Sequence, residues 1–187
     1  MPRATHIQQV GNSLLIYYED GLTEYAVPTM GSIWLVSLPG GPTPGTPGLT
    51  WPFTLSVVTS EFRPADRPNH DGMDFSGGQA SLGSPTPSAG NGTVWKTFAV
   101  GEYGGYGNGV IIDHGTINGN NFKTLYGHMD TYPIVIEGAT VTKGQNLGPV
   151  GNSGASFGAH CHFELWLDGT GSAVNKVNPR TYISDGG

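Results

Sequence analysis

About one position in four of this chain is glycine or proline, with 31 Gly and 14 Pro among 187 residues. In a helix interior glycine costs about 1 kcal/mol and proline about 3 kcal/mol relative to alanine. A backbone interrupted this often supports neither a coiled coil nor a long helical bundle. The glycines follow no three-residue period, which excludes a collagen-like rod. Charge-driven disorder is excluded too, because 36% of residues are apolar, the formal net charge is only -6, and 8 Tyr, 7 Phe and 4 Trp supply rings for a core. What remains is a turn-rich, all-β globular protein with antiparallel strands and long loops.

The eight Lys and Arg residues are scattered and outnumbered by 14 Asp and Glu. No basic face is available for phosphates, so nucleic acid is not an expected partner. Cys161 is the single cysteine, so no internal disulfide is possible. No run approaches the roughly 18 apolar residues of a membrane span. The opening Met1-Pro2-Arg3-Ala4-Thr5-His6 is not followed by a long apolar segment, so no ordinary secretory signal is expected.

Three parts are expected along the chain. Residues 1–38 read as a small β-meander, with strands at 14–18, 23–27 and 32–37 and an Asp20-Gly21 turn between the first two. Residues 39–48 hold four Pro and four Gly in ten positions, which can join neither a sheet ladder nor a helix, and read as a linker. Residues 49–187 form the main domain, with strands expected at 93–100, 109–113, 122–126, 134–136 and 160–167.

Histidine carries the chemistry. In His160-Cys161-His162-Phe163-Glu164, strand alternation puts His160 and His162 on one face and Cys161 on the other. Two such imidazoles share a metal, or one binds it beside the other, or both are ordinary surface histidines. In His70-Asp71-Gly72-Met73-Asp74, an imidazole and a carboxylate suited to zinc are four residues apart. Fully extended, their Cα atoms would stand about 13 Å apart, so the segment must bend, and Gly72 sits midway. The alternative is a solvated loop with incidental charges. In Tyr126-Gly127-His128, a histidine follows an apolar strand, and alone it reads as structural.

Taken in order, these segments resemble the lysostaphin-type zinc endopeptidases, which cut peptide bonds in bacterial peptidoglycan. The family pattern is His-x-x-x-Asp, then Tyr-x-His, then a Gly-rich approach to His-x-His-Phe-Glu. The chain has them as His70 to Asp74, Tyr126 to His128, and Gly154 to Glu164. The segments 83–94, 106–115 and 138–151 resemble the family as well, so the likeness covers about residues 60–183, with residues 1–48 outside it.

The resemblance implies the lysostaphin-type peptidase fold, one zinc ion per chain held by His70, Asp74 and His162, and His128 and His160 as the catalytic pair. Three protein ligands leave a position for water, as catalytic zinc requires. No His-Glu-x-x-His occurs, which excludes a helix-borne site with a glutamate base. Glu164 falls on the His162 face and either accepts a hydrogen bond from that ring or sits in solvent. Tyr103-Gly104-Gly105-Tyr106 either lines the groove or forms a plain turn. His114 is expected to be structural, and Cys161 stands where the family more often has an aliphatic residue.

The expected function is zinc-dependent hydrolysis of a stem-peptide or cross-bridge bond in peptidoglycan, at the bacterial cell wall. The expected context is a phage-type lysin or tail-associated hydrolase, carried on a virion or released with a holin-type partner. The alternative is a catalytically weak wall-binding or virion structural module.

Overall fold

The computed structural model describes residues 4–10, 13–18, 23–29, 32–37, 48–117, 120–167 and 175–183. Contacts divide the chain into two compact units, Met1–Thr46 and Pro47–Gly187. Apart from Gly48, the expected linker lies outside the described residues.

The first unit is a four-stranded antiparallel meander: β1 (Ala4–Val10), β2 (Ser13–Tyr18), β3 (Thr23–Thr29) and β4 (Ser32–Ser37), in that spatial order. The sequence reading counts three strands here, and the structure adds β1. Its segment, Ala-Thr-His-Ile-Gln-Gln-Val, is polar enough to hide a strand pattern. Pro28 is tolerated in β3 because the pairing with β2 ends at Ala26, so no ladder donor is lost on that side.

The second unit is built from β5 (Val58–Ser60), β6 (Met73–Phe75), β7 (Pro85–Pro87), β8 (Gly92–Phe98), β9 (Asn108–Ile117), β10 (Asn120–Met129), β11 (Thr140–Val141), β12 (Asn146–Pro149), β13 (Cys161–Leu167) and β14 (Asn175–Val177). The main sheet runs β11-β8-β9-β10-β13-β6-β5, with β14 also on β13, and β7 pairs with β12 in a small second sheet. Every pairing is antiparallel. The described helices are three-residue 3-10 turns, Leu55–Val57, Gly104–Tyr106 and Pro179–Thr181. The all-β, antiparallel expectation is met.

One expected strand is absent. Residues 134–136 follow a bent path in which only Val135 enters the core, while Ile134 and Ile136 are exposed. The β-branched run suits a strand, but Ile134 N–H makes a single bond to Leu147 O and Ala139 N–H closes a turn on Ile136 O, so no ladder forms.

Alternation along the central strands builds two apolar layers. Cys161, Phe163 and Leu165 of β13 join Met73, Phe75, Ile112 and Tyr126 in the larger core. On the opposite face Trp166 packs with Phe98, Ile111 and Leu125. Full burial of such side chains contributes about 1.5–3 kcal/mol each. His162 and Glu164 share the Trp166 face, so the smaller layer forms one border of the candidate site.

Candidate metal centre

Strand register assembles the site. His162 pairs with Asp74 across β13 and β6, and with Gly127 across β13 and β10. Three distant segments therefore meet in one row, with His128 the next residue on. His70 is delivered by a loop closed on itself, in which Arg63 N–H donates to His70 O at 2.8 Å and His70 N–H to Arg67 O at 2.9 Å.

His70 Nε2 lies 3.0 Å from Asp74 Oδ1 and 3.2 Å from His162 Nδ1, and His162 Nδ1 lies 2.9 Å from the same Asp74 oxygen. Both rings are oriented from behind. His70 Nδ1 donates to Glu61 O at 2.8 Å, and His162 Nε2 donates to Glu164 Oε1 at 3.1 Å. All three residues are buried, and their ligand atoms form a group that could hold a metal ion. Carboxylate and imidazole are donors that zinc accepts.

The electrostatics follow from burial with compensation. Burial raises the pKa of Asp74, but hydrogen bonds from His162 and His70 outweigh it and hold the carboxyl well below its usual range. Burial lowers the pKa of His162, yet Asp74 and Glu164 push it up to about 9. This pocket favours positive charge between two carboxylates, whether proton or metal.

Glu164 is not in solvent. It is 1% exposed and lowered in pKa, and it accepts from Tyr106 OH at 2.7 Å, Trp166 Nε1 at 2.6 Å and Lys176 Nζ at 3.2 Å besides His162. Lys176 also reaches Tyr106 OH at 2.6 Å and Asp71 at 3.2 Å. Tyr106 therefore belongs to the site as well as to a turn. Sequence alternation points to Glu164, whereas Lys176 carries no local signal.

His128 and His160 lie beside this group, with ring centroids 4.6 Å apart. Each ring is fixed through Nδ1, which donates to Ser153 O in His128 and to Gly158 O in His160, both at 2.8 Å. Burial pushes the pKa of His128 down to about 4, against a raising bond from Ser153. His128 also has φ of 62°, in the left-handed region, which a histidine adopts rarely and at a cost of about 1–3 kcal/mol.

Gly72 acts differently from expectation. Its φ is ordinary, but a Cβ there would sit 2.6 Å from Phe163 O and 2.7 Å from His162 Cε1. The position needs glycine because the His162 ring passes over it. Cys161 is buried in the larger core and faces away from the ligands, and His114 is buried between Asn91 O and Thr124 Oγ1.

The five histidine and aspartate side chains line one cavity of about 820 Å³, with Tyr106 and the 155–159 loop at its border. A second cavity of about 460 Å³ shares Arg67, His70, Tyr106 and His162 with the first.

The family model described as Peptidase family M23 matches residues 68–176. Peptidoglycan DD-endopeptidase ShyA of Vibrio cholerae is 33% identical over 127 residues, covering 68% of this chain and 26% of ShyA. The chain spans about a quarter of the length of ShyA and of the DD-carboxypeptidase/endopeptidase Mpg of Neisseria meningitidis. Among solved structures, the catalytic domain of the prophage-encoded M23 protein EnpA from Enterococcus faecalis is 32% identical with a TM-score of 0.54, covering 67% of this chain and 90% of that domain. Lysostaphin from Staphylococcus simulans is 25% identical with a TM-score of 0.55, covering 69% of this chain and 50% of lysostaphin. The lysostaphin-type fold is thereby established for the second unit. With the family model covering more than half of its length, the chain belongs to peptidase family M23, a family of metallopeptidases.

Proposed function

We propose that this chain is a zinc-dependent endopeptidase that hydrolyses peptide bonds of bacterial peptidoglycan, in the stem peptide or cross-bridge. In this reading His70, Asp74 and His162 hold one zinc ion, and His128 and His160 are the catalytic pair. The observation that carries it is the convergence of His70 Nε2, Asp74 Oδ1 and His162 Nδ1, 2.9–3.2 Å apart, on a cleft that also holds two oriented histidines. That spacing is close to the edge of a zinc tetrahedron, about 3.3 Å for bonds near 2.05 Å.

Zinc bound there supplies Lewis acidity, which brings the pKa of a water toward about 7 and polarises a carbonyl. The chain's own residues do the rest. With Nδ1 tied to a backbone carbonyl, His128 and His160 each leave Nε2 as the ring nitrogen available for chemistry, that of His160 lying 3.6 Å from Asp74 Oδ1. His128 is neutral at physiological pH, so it enters the reaction able to accept a proton. The pair takes the proton lost by the attacking water and returns it to the leaving nitrogen as the amide bond breaks. As imidazolium, the same ring stabilises charge on the tetrahedral carbonyl oxygen.

The Met1–Thr46 unit is read as an appendage of the peptidase chain. Carriage on a virion belongs to this reading, and detection of the chain in purified virions tests it. The hydrolase reading is tested by digesting purified walls and assigning the new amino termini by mass spectrometry. Cleavage is expected to stop with a chelator and return with zinc. A wall digest without new termini under zinc would leave only a binding or structural module.

A further inference from the structure

The segment 155–159 borders the larger cavity and is tied down at both ends. Ala155 N–H donates to Gly105 O at 2.8 Å, and Ser76 Oγ donates to Ala159 O at 2.7 Å. Between these ties Ser156 Oγ donates to Asn152 Oδ1 at 2.6 Å, and Gly158 O accepts from the His160 ring at 2.8 Å. Phe157 stands in the middle of this held segment with its side chain fully exposed. An exposed apolar residue is ordinary by itself. This one lines the cavity that holds His128, His160 and the three candidate ligands, so it meets whatever fills that cavity. Its backbone is fixed before a ligand arrives, which lowers the entropy lost on contact.

Shape and charge indicate what the ring meets. A benzene ring offers two flat apolar faces and gains most against a flat partner of like size. An alanyl methyl group covers only a small part of such a face. Residues 151–159, Gly-Asn-Ser-Gly-Ala-Ser-Phe-Gly-Ala, carry no charge, so the segment offers nothing to pair with the charged groups of a peptide. Asn152 is exposed and accepts through Oδ1, while its Nδ2 has no hydrogen-bond partner among the described residues. A bare aromatic face with a free amide donor near it suits a neutral, ring-sized group with C–H faces and oxygens at its rim. A pyranose has that chemistry.

We propose that Phe157 stacks on a pyranose ring of the glycan strand that carries the scissile peptide. The chain then engages the sugar as well as the peptide of its substrate. The proposal rests on the hydrolase reading above and adds a second part of the substrate to it.

The test uses the zinc-loaded chain and two peptide dimers of identical sequence, one carrying its N-acetylglucosamine–N-acetylmuramic acid disaccharides and one freed of them. Wild type is expected to cleave the sugar-bearing dimer about three- to tenfold faster in kcat/KM, the order of one aromatic stack, with the difference in KM. Phe157→Ala is expected to bring the ratio close to one, and Phe157→Tyr, which keeps the ring, to preserve it. Because the ratio is taken within one protein, a difference in active fraction cancels. A second readout is saturation-transfer NMR with peptide-free glycan strands, which hold no bond for the chain to cut. Their ring protons are expected to receive more saturation from wild type and Phe157→Tyr than from Phe157→Ala. Equal cleavage of the two dimers by wild type, or an unchanged ratio in Phe157→Ala, overturns the proposal. Saturation that falls in Phe157→Ala, without cleavage of either dimer by wild type, overturns the hydrolase reading and leaves the sugar contact standing.

Discussion

His162 Nε2 and Glu164 Oε1 lie 3.1 Å apart on the same face of one strand, with the carboxylate almost wholly buried. That bond fixes which nitrogen of His162 turns toward Asp74. Metal-ligating histidines oriented in this way lose about 10–100-fold in metal affinity when the partner is removed. Glu164→Gln is expected to weaken zinc binding by that order, measured by competition with a chromophoric chelator. Lys176→Met removes one donor to Glu164 and is expected to move affinity in the same direction by less.

Gly72→Ala tests the close approach of the His162 ring. The added methyl would meet backbone at Phe163 O and the ring at Cε1, and overpacking of this kind costs about 1–3 kcal/mol. Chemical denaturation is expected to show a loss in that range, with zinc affinity falling as well. At Gly83, where nothing lies within 4 Å, the same change carries only the strain of a φ of 80°.

His128 combines an unusual backbone with an oriented ring. Replacement by Asn, which tolerates the left-handed region, keeps the turn and removes the free ring nitrogen. General acid–base groups contribute about 10²–10⁴-fold to rate. His128→Asn is expected to lower kcat on muropeptides within that range, with an unchanged melting temperature and full zinc content.

Burial holds His114 below its ordinary pKa of 6.5. The unfolded chain therefore binds this proton first as pH falls. The stability this neutral histidine contributes is present above pH 6.5 and lost progressively below it. His114→Gln is expected to make the denaturation midpoint less sensitive to acid below that pH than in wild type, read from urea titrations across the range.

The sequence and the structure agree most closely where a local pattern dictates a local outcome. Alternation places Cys161 in the core and His162 with Glu164 on the other face, because a strand has only two faces. The same rule misleads at residues 134–136, where β-branched side chains invite a strand but only Val135 has a core to enter. Lys176 was not legible, since its role depends on register between distant segments. Gly72 was legible as a necessary glycine, but the reason became visible only with the His162 ring above it.

In the proposed reading His70, Asp74 and His162 hold one zinc ion as a unit. The most direct test is the zinc content of the purified, zinc-dialysed chain and its His162→Ala variant, measured by atomic emission. Close to one equivalent is expected per wild-type chain and close to none in the variant. Equal zinc content in the two proteins would contradict that reading.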